Sequence, residues 1–229
     1  VTTVPKNLPP GSDVANLSVF GYDPQKYYTG RSPLEAVSMG VPLTLTDTTF
    51  RANLVTLSDD ARYEDKIMVD YSSDEISTEE AHQLISALND ALKTEDYEFF
   101  GGISYRHLMV WHHRENDFTL TPPHDISDRV IGEYLPKDKT LLGLMKKSYD
   151  ILKDHPVNQK RVQKGQRPAN SLWIWGNGTK PNLDTYQARF GIRGAVISAV
   201  DLVKGIGRCA DLAVLDIPGA TGTVHTNFD

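Results

Sequence analysis

The chain has 229 residues and a formal charge of −6, from 24 Lys and Arg against 30 Asp and Glu. Hydrophobic residues make up 39%, enough for a packed core, and a single cysteine, Cys209, excludes a disulfide framework and a multi-cysteine zinc site. The acidic balance argues against general nucleic-acid binding, and no run of about 18 apolar residues exists to span a membrane.

The chain opens VTTVPKNLPPGSD, with neither an initiator Met nor a signal-peptide pattern, and closes on the Gly-rich PGATGTVHTNFD. Both ends are expected to be cut. Residues 12–20 predict a short helix, with Asp13 near its start and Val14 and Leu17 on one face. Gly21-Tyr22-Asp23-Pro24 stops it, because a residue before Pro resists the α region. A second short helix around Glu35 ends at Gly40. Residues 42–58, rich in Thr, Leu and Val, predict two strands joined near Asp47, and KIMVDY (66–71) predicts another. Residues 77–93 give the clearest helix: Ser77 and Glu80 form a capping box, and Ala81, Leu84, Ile85, Leu88 and Leu92 make one stripe. Residues 102–111 predict one strand, and 140–153 a second amphipathic helix stopped by Pro156. Residues 157–164 suggest a short helix closed by Gly165.

After Pro168 the pattern changes. Three apolar strands, at 171–175, 194–199 and 213–217, alternate with helical stretches at 182–190 and 200–210. That alternation predicts a parallel sheet covered on both faces. The middle of the chain, with strands grouped before helices, reads as α+β.

Several groups carry candidate chemistry. Gly11-Ser12-Asp13 lies at a loop-to-helix junction, where free backbone N–H groups suit a phosphate, although on spacing alone a plain helix cap by Ser12 or Asp13 is the commoner reading. Arg106 and His107, adjacent on a strand, must face opposite ways. Arg106 can fork onto an anion or simply face solvent. Two prolines stiffen the backbone before His124 and Asp125, which either aims the histidine or makes a rigid connection. Asn158 and Arg161 share a helix face, and Arg51, Arg106 and Arg161 could converge on one anion. His112 and His113 point to opposite faces, which argues against a shared metal. GNGTK (176–180) lacks the four-residue gap of a P-loop.

Read in order, SDVANLSVFGYDPQKYYTGRSPLEA, FRANLVTL, ISTEEA, GISYRHLMV, TPPHDI, HPVNQKR, PANSLWIWGNG, GAVISAVDLVKGIG and PGATG are far more specific than any one alone. Together they resemble the archaeal-type cofactor-independent (2,3-bisphosphoglycerate-independent) phosphoglycerate mutases of the alkaline phosphatase superfamily. Bacterial members are also labelled homoserine kinases. The resemblance implies an α/β fold. A partial alkaline-phosphatase-like parallel sheet would come from both chain ends (about 1–40 and 170–229). An inserted α+β substrate domain would occupy about 41–169.

The resemblance also implies a phosphoserine relay between 3- and 2-phosphoglycerate, with Ser12 as metal-bound nucleophile. Arg51, Arg106, His107, His124, Asp125, Asn158 and Arg161 fall in its motifs as substrate contacts, and Lys204, in VDLVKGIG, as a phosphate contact beside Ser12. Divalent ions (Mn²⁺, Mg²⁺, Zn²⁺ or Co²⁺) and no 2,3-bisphosphoglycerate are expected for the full-length enzyme. Its N-terminal Asp-Gly and C-terminal D-E-x-G-H-type ligand segments do not occur here. The chain is therefore expected to be an inactive central fragment with no metal bound. The implied setting is cytoplasmic glycolysis or gluconeogenesis, with a small phosphorylated substrate and no nucleic-acid or membrane partner. A homoserine-kinase-like phosphotransferase, or a stand-alone phosphate-binding domain, is the alternative.

Overall fold

The structure is a computed structural model and describes residues 4–8 and 11–227. The chain divides into two compact units, one formed by Val1–Leu45 with Gly178–Asp229 and the other by Thr46–Asn177. We call them the terminal and the middle unit.

In the terminal unit, three short helices come first: α1 (Ser12–Val19), α2 (Pro24–Tyr27) and α3 (Ser32–Ser38). Gly40, at φ +75°, turns the chain out of α3. No strand forms over residues 42–47, so the two strands expected there are one, beginning at Thr48. The alternating Leu and Thr of 43–46 satisfy strand periodicity but find no partner strand in the sheet.

The middle unit opens with that strand, β1 (Thr48–Leu57), and continues with β2 (Met68–Asp70), α4 (Thr78–Leu92), β3 (Tyr97–Phe100) and β4 (Arg106–Trp111). After two 3₁₀ turns come α5 (Lys139–Leu152), α6 (Pro156–Gln163) and β5 (Ser171–Thr179). The sheet order is β2-β1-β4-β3, with β5 also pairing β1. β1 runs antiparallel to β2 and β4, and β3 antiparallel to β4. The single strand expected over 102–111 is in fact β4 alone. Residues 101–105 form the loop from β3, with Ser104 at φ +55°.

Amphipathic helices close this sheet. Ser77 Oγ accepts the Glu80 N–H at 3.2 Å and starts α4, whose Ala81, Leu84, Ile85, Leu88 and Leu92 are buried. The Glu80 side chain goes elsewhere, to Arg161, so only one half of the expected capping box is made. Asp138 Oδ1 caps α5 by accepting from Thr140 and Leu141. Its inward stripe (Leu141, Leu144, Met145, Leu152) joins Phe50, Leu54, Met109, Leu172 and Ile174 in one core.

The apolar run 171–175 thus belongs to this sheet, not to a parallel sheet with 194–199 and 213–217. Leu172, Trp173, Ile174 and Trp175 are all buried, which is why the run reads like a parallel strand covered on both faces. Its register is pinned by Asn170, whose side-chain oxygen accepts the Leu57 N–H and whose amide donates to Leu57 O, each at 2.8 Å. That side chain takes the place of a backbone neighbour.

The terminal unit resumes with α7 (Tyr186–Phe190), β6 (Ala195–Ile197), α8 (Asp201–Cys209) and β7 (Ala213–Leu215). β6 and β7 pair in parallel, and α8 crosses between them. α3 lies tightly on α8: a Cβ on Gly205 would stand 2.0 Å from Leu34 O. Val196 is buried and lies against α8 at Gly207, whereas Ile197 and Leu215 are 57% and 42% exposed. A parallel pair normally has both faces covered.

The two units should therefore differ in local stability. In hydrogen exchange on the 229-residue chain, β1 and β4 amides should exchange only through global opening, and β6 and β7 amides much faster. Equal protection in the two sheets would contradict this reading.

Candidate active site

Ser12 is the first residue of α1 and is exposed. Gly11 holds the N-cap position and supplies no side-chain cap. The junction is organised instead by Asp13, 5% exposed, whose Oδ1 accepts the Val14 N–H at 3.0 Å and whose Oδ2 accepts the Tyr28 hydroxyl at 2.7 Å. Burial, and then that carboxylate, push the Tyr28 pKa well up, so the phenol stays a donor. The serine hydroxyl thus sits on a braced helix N-terminus, where amide dipoles favour an arriving phosphoryl group.

Lys204, on α8, lines a recess of about 270 Å³ with Ile197, Ser198, Leu215 and Asp216. Its Nζ donates to Asp216 Oδ1 at 2.6 Å, and this bond holds the Asp216 carboxyl below its ordinary value. No hydrogen bond joins Ser12 to Lys204 among the described residues, although α1 and α8 touch. Cys209 is not a rival nucleophile, since burial pushes its thiol up to about 11.

The middle unit gathers a second set. In the β1–β4 ladder Arg51 pairs with Leu108 and Asn53 with Arg106, so both arginines project from one sheet face. As diagonal neighbours their backbones lie roughly 7–8 Å apart, within reach of one small anion for side chains of this length. The Arg51 guanidinium lies 4.5 Å from the Trp175 ring, and Arg106 5.4 Å from the Tyr105 ring. His124, on a 3₁₀ turn (Pro123–Ile126), meets Trp175 edge to face at 5.4 Å and Tyr71 at 6.1 Å. Tyr71 in turn meets Tyr105 at 5.9 Å. His124 Nε2 lies 3.6 Å from Asp125 Oδ1, both half exposed. Arg51, Arg106, His124 and Asp125 are therefore linked by one chain of rings: Trp175, Tyr71, Tyr105.

Three expected substrate contacts lie elsewhere. His107 is 2% exposed on the opposite sheet face; its Nδ1 accepts the Gly102 N–H at 3.0 Å. Burial first, and the nearby His82 second, push it down to about 3, so it is neutral at physiological pH with its proton on Nε2. Asn158, fully buried, donates to Leu152 O and Ala169 O and accepts from Ala169 N. Arg161, 2% exposed, donates to Arg167 O at 2.9 Å, Ser73 O at 2.6 Å and Glu80 Oε2 at 2.5 Å. The shared helix face of Asn158 and Arg161 is real, but it looks into the fold, and their polar atoms are used there.

Sequence reasoning passed over Trp175, Tyr71, Tyr105 and Asn53. Strand alternation, which separates Trp173 and Trp175 from Leu172 and Ile174, was the available signal.

The divalent ions implied by resemblance find no fit in these residues. Among the described residues no three His, Cys, Asp or Glu side chains group closely enough to hold an ion. Both oxygens of Asp13, the carboxylate next to Ser12, already accept protein hydrogen bonds.

Fold and site thus define a mixed α and β chain with an exposed serine at a helix N-terminus in one unit and a face of arginines and aromatic rings in the other. The family model for 2,3-bisphosphoglycerate-independent phosphoglycerate mutase matches residues 1–158. The enzyme of that name from Methanosarcina acetivorans is 51% identical over 234 residues, covering 99% of this chain and 57% of the relative. Two solved structures are also similar. The PH0037 protein from Pyrococcus horikoshii has a TM-score of 0.71 at 29% identity, covering 96% of this chain and 51% of that one. The cofactor-independent phosphoglycerate mutase from Thermoplasma acidophilum has a TM-score of 0.61 at 26% identity, covering 90% and 57%. The chain belongs to the 2,3-bisphosphoglycerate-independent phosphoglycerate mutase family and spans a little over half the length of these relatives.

Arg161→Ala should lower the unfolding free energy in urea by about 3 kcal/mol, because it strands the Glu80 carboxylate and the buried Ser73 carbonyl; a loss under about 0.5 kcal/mol would contradict a structural role. His107 gives a pH signature. Its folded pKa lies below the ordinary 6.5, so its neutral form contributes full stability above pH 6.5, and stability falls as pH drops from 6.5 towards 3. The wild type should lose roughly 1 kcal/mol per pH unit more than His107→Asn in that window. Parallel stability–pH curves would refute the assignment.

Proposed function

We propose that the protein containing this chain is a phosphoglycerate mutase that exchanges phosphate between the 3- and 2-hydroxyls of glycerate through a phosphoserine at Ser12. The observation that carries this reading is the family match, which takes in both Ser12 and the Arg51–Arg106 face. In the first half-reaction Ser12 Oγ forms a bond to phosphorus. The bond from phosphorus to the substrate's 3-oxygen breaks, and that oxygen takes up the proton the serine gives off. In the second, the glycerate 2-oxygen attacks the phosphoserine, and the proton it loses returns to Ser12. Nothing is oxidised or reduced, and no 2,3-bisphosphoglycerate is consumed. The helix N-terminus at Ser12 favours the extra negative charge in both steps. Arg51 and Arg106 grip carboxylate or phosphoryl oxygens, and His124 with Asp125 orients the hydroxyl ends. Lys204 balances phosphate charge near α1. His107, Asn158 and Arg161 act from behind, by fixing the strand and turns that carry the others. Divalent ions are expected in the whole enzyme; this chain's residues alone do not form their site, and no step here passes through one.

The domain reading follows. The middle unit, Thr46–Asn177 and not the expected 41–169 because β5 pairs with β1, is the inserted substrate domain, and the terminal unit is part of an alkaline-phosphatase-like domain. The compact middle unit supports this, as does the parallel β6–β7 pair with its uncovered outer face. The setting would be cytoplasmic glycolysis and gluconeogenesis.

An enolase-coupled assay on the full-length protein tests the proposal. Wild type should convert 3-phosphoglycerate, and Ser12→Ala should lose roughly three orders of magnitude in kcat, as removal of a nucleophile does. Unchanged turnover in that variant would sink the nucleophile assignment.

A further inference from the structure

Tyr71 stands immediately after β2 and is 38% exposed, yet its backbone and its ring are both held. The backbone is fixed from either side. Asp70, just before it, pairs with Thr56 of β1, and the Asp70 carboxylate accepts the Ser72 N–H and hydroxyl at 2.8 Å and the Asp74 N–H at 2.7 Å. The Tyr71 carbonyl accepts the amide of the buried Asn53 at 3.3 Å. Beyond Ser72 the chain enters the left-handed run Ser73, Asp74, Glu75, whose first carbonyl is gripped by Arg161. The ring meets Tyr105 at 5.9 Å and 75° and His124 at 6.1 Å and 72°, edge to face in both cases. The hydroxyl alone is uncommitted. Among the described residues no group hydrogen-bonds the Tyr71 hydroxyl, and none hydrogen-bonds the exposed Arg106 guanidinium, which lies 5.4 Å from the Tyr105 ring.

We propose that Tyr71 is a specificity-determining residue: its hydroxyl reads a free alcohol on the same small anion that Arg106 pairs with by charge. The chemistry divides the labour. A guanidinium only donates, and suits a phosphoryl or carboxylate oxygen. A phenol both donates and accepts, as an alcohol does, so it can meet both halves of an alcohol's hydrogen bonding, which Arg106 cannot. Tyr105 is the neighbour common to both groups, since Tyr71 and Arg106 each lie against its ring. A ring already fixed before the ligand arrives pays little further ordering cost. The ligand class is a phosphorylated hydroxy acid. That identity rests on the mutase reading; the placement of Tyr71 does not.

The test compares two ligands on the full-length protein carrying Ser12→Ala, so that neither is turned over. They are 3-phosphoglycerate and 3-phosphonooxypropanoate, which lacks only the 2-hydroxyl. Calorimetry should show 3-phosphoglycerate bound about tenfold more tightly, the worth of one hydrogen bond to a neutral group. Tyr71→Phe keeps the ring contacts and removes only the hydroxyl, and should bind the two ligands equally, within about twofold. Arg106→Gln should weaken both ligands by a similar factor. Equal affinity of the parent for the two ligands, a preference that survives Tyr71→Phe, or a loss in Tyr71→Phe shared by both ligands would each overturn the role of Tyr71. Turnover by the full-length wild type in the enolase-coupled assay separates this from the mutase reading. No turnover of 3-phosphoglycerate, with the hydroxyl preference still abolished by Tyr71→Phe, would overturn the mutase reading alone. Turnover with a preference that persists in Tyr71→Phe would overturn the Tyr71 role alone, and binding of neither ligand would overturn both.

Discussion

Strand β1 is buried along its whole length except at Arg51, which is half-buried. A buried strand must pair every backbone N–H and C=O, because each orphaned group costs about 1–3 kcal/mol. β1 meets that demand with three strands, β2, β4 and β5, and with the side chain of Asn170 where backbone pairing is irregular, near Leu57. The arginine–aromatic face is a by-product of the same constraint. Once the register with β4 is set, alternation sends Phe50, Ala52 and His107 to the helix-covered face and Arg51, Asn53 and Arg106 to the other. A one-residue slip would exchange the two sets and put two guanidinium groups into the core.

A second tie holds the far side. Ser73, Asp74 and Glu75 all have φ near +50°, a run that L-residues adopt at a cost. The Arg161 guanidinium anchors the first through its carbonyl, and Asp74 is anchored by the Arg167 backbone N–H at 2.7 Å. Arg161 thus explains why an always-charged group tolerates full burial: all three of its nitrogens have acceptors, one of them the Glu80 carboxylate. It also explains the half-made capping box, since Glu80 cannot serve both α4's first turn and the guanidinium.

Much of this was legible in the sequence where one residue's own chemistry decides. Ser77 caps α4, the stripes of α4 and α5 face inward, Gly40 ends α3's turn, and Arg106 and His107 split across β4. What escaped depended on partners distant in sequence. SLWIW has the composition of a doubly covered strand, and only its pairing with β1 places it in the middle sheet. Arg51 and Arg161 are both arginines in segments that carry the family resemblance, yet strand register leaves one half-buried and a left-handed turn some ninety residues upstream captures the other. Trp175 reads as core in any hydropathy scan and is core, but its N–H and ring edges point at polar groups.

The tight seat of Leu34 on Gly205 joins α3 to α8 across the whole of the middle unit. On the ribosome, the middle unit has all its own elements well before α8 emerges. Residues up to 45 must therefore wait, with Leu17, Leu34 and Tyr27 unsheltered, while the segment after them folds. The order of synthesis makes the middle unit the natural first foldon and the terminal unit a late closure whose rate is set by a long loop, not by local helix formation.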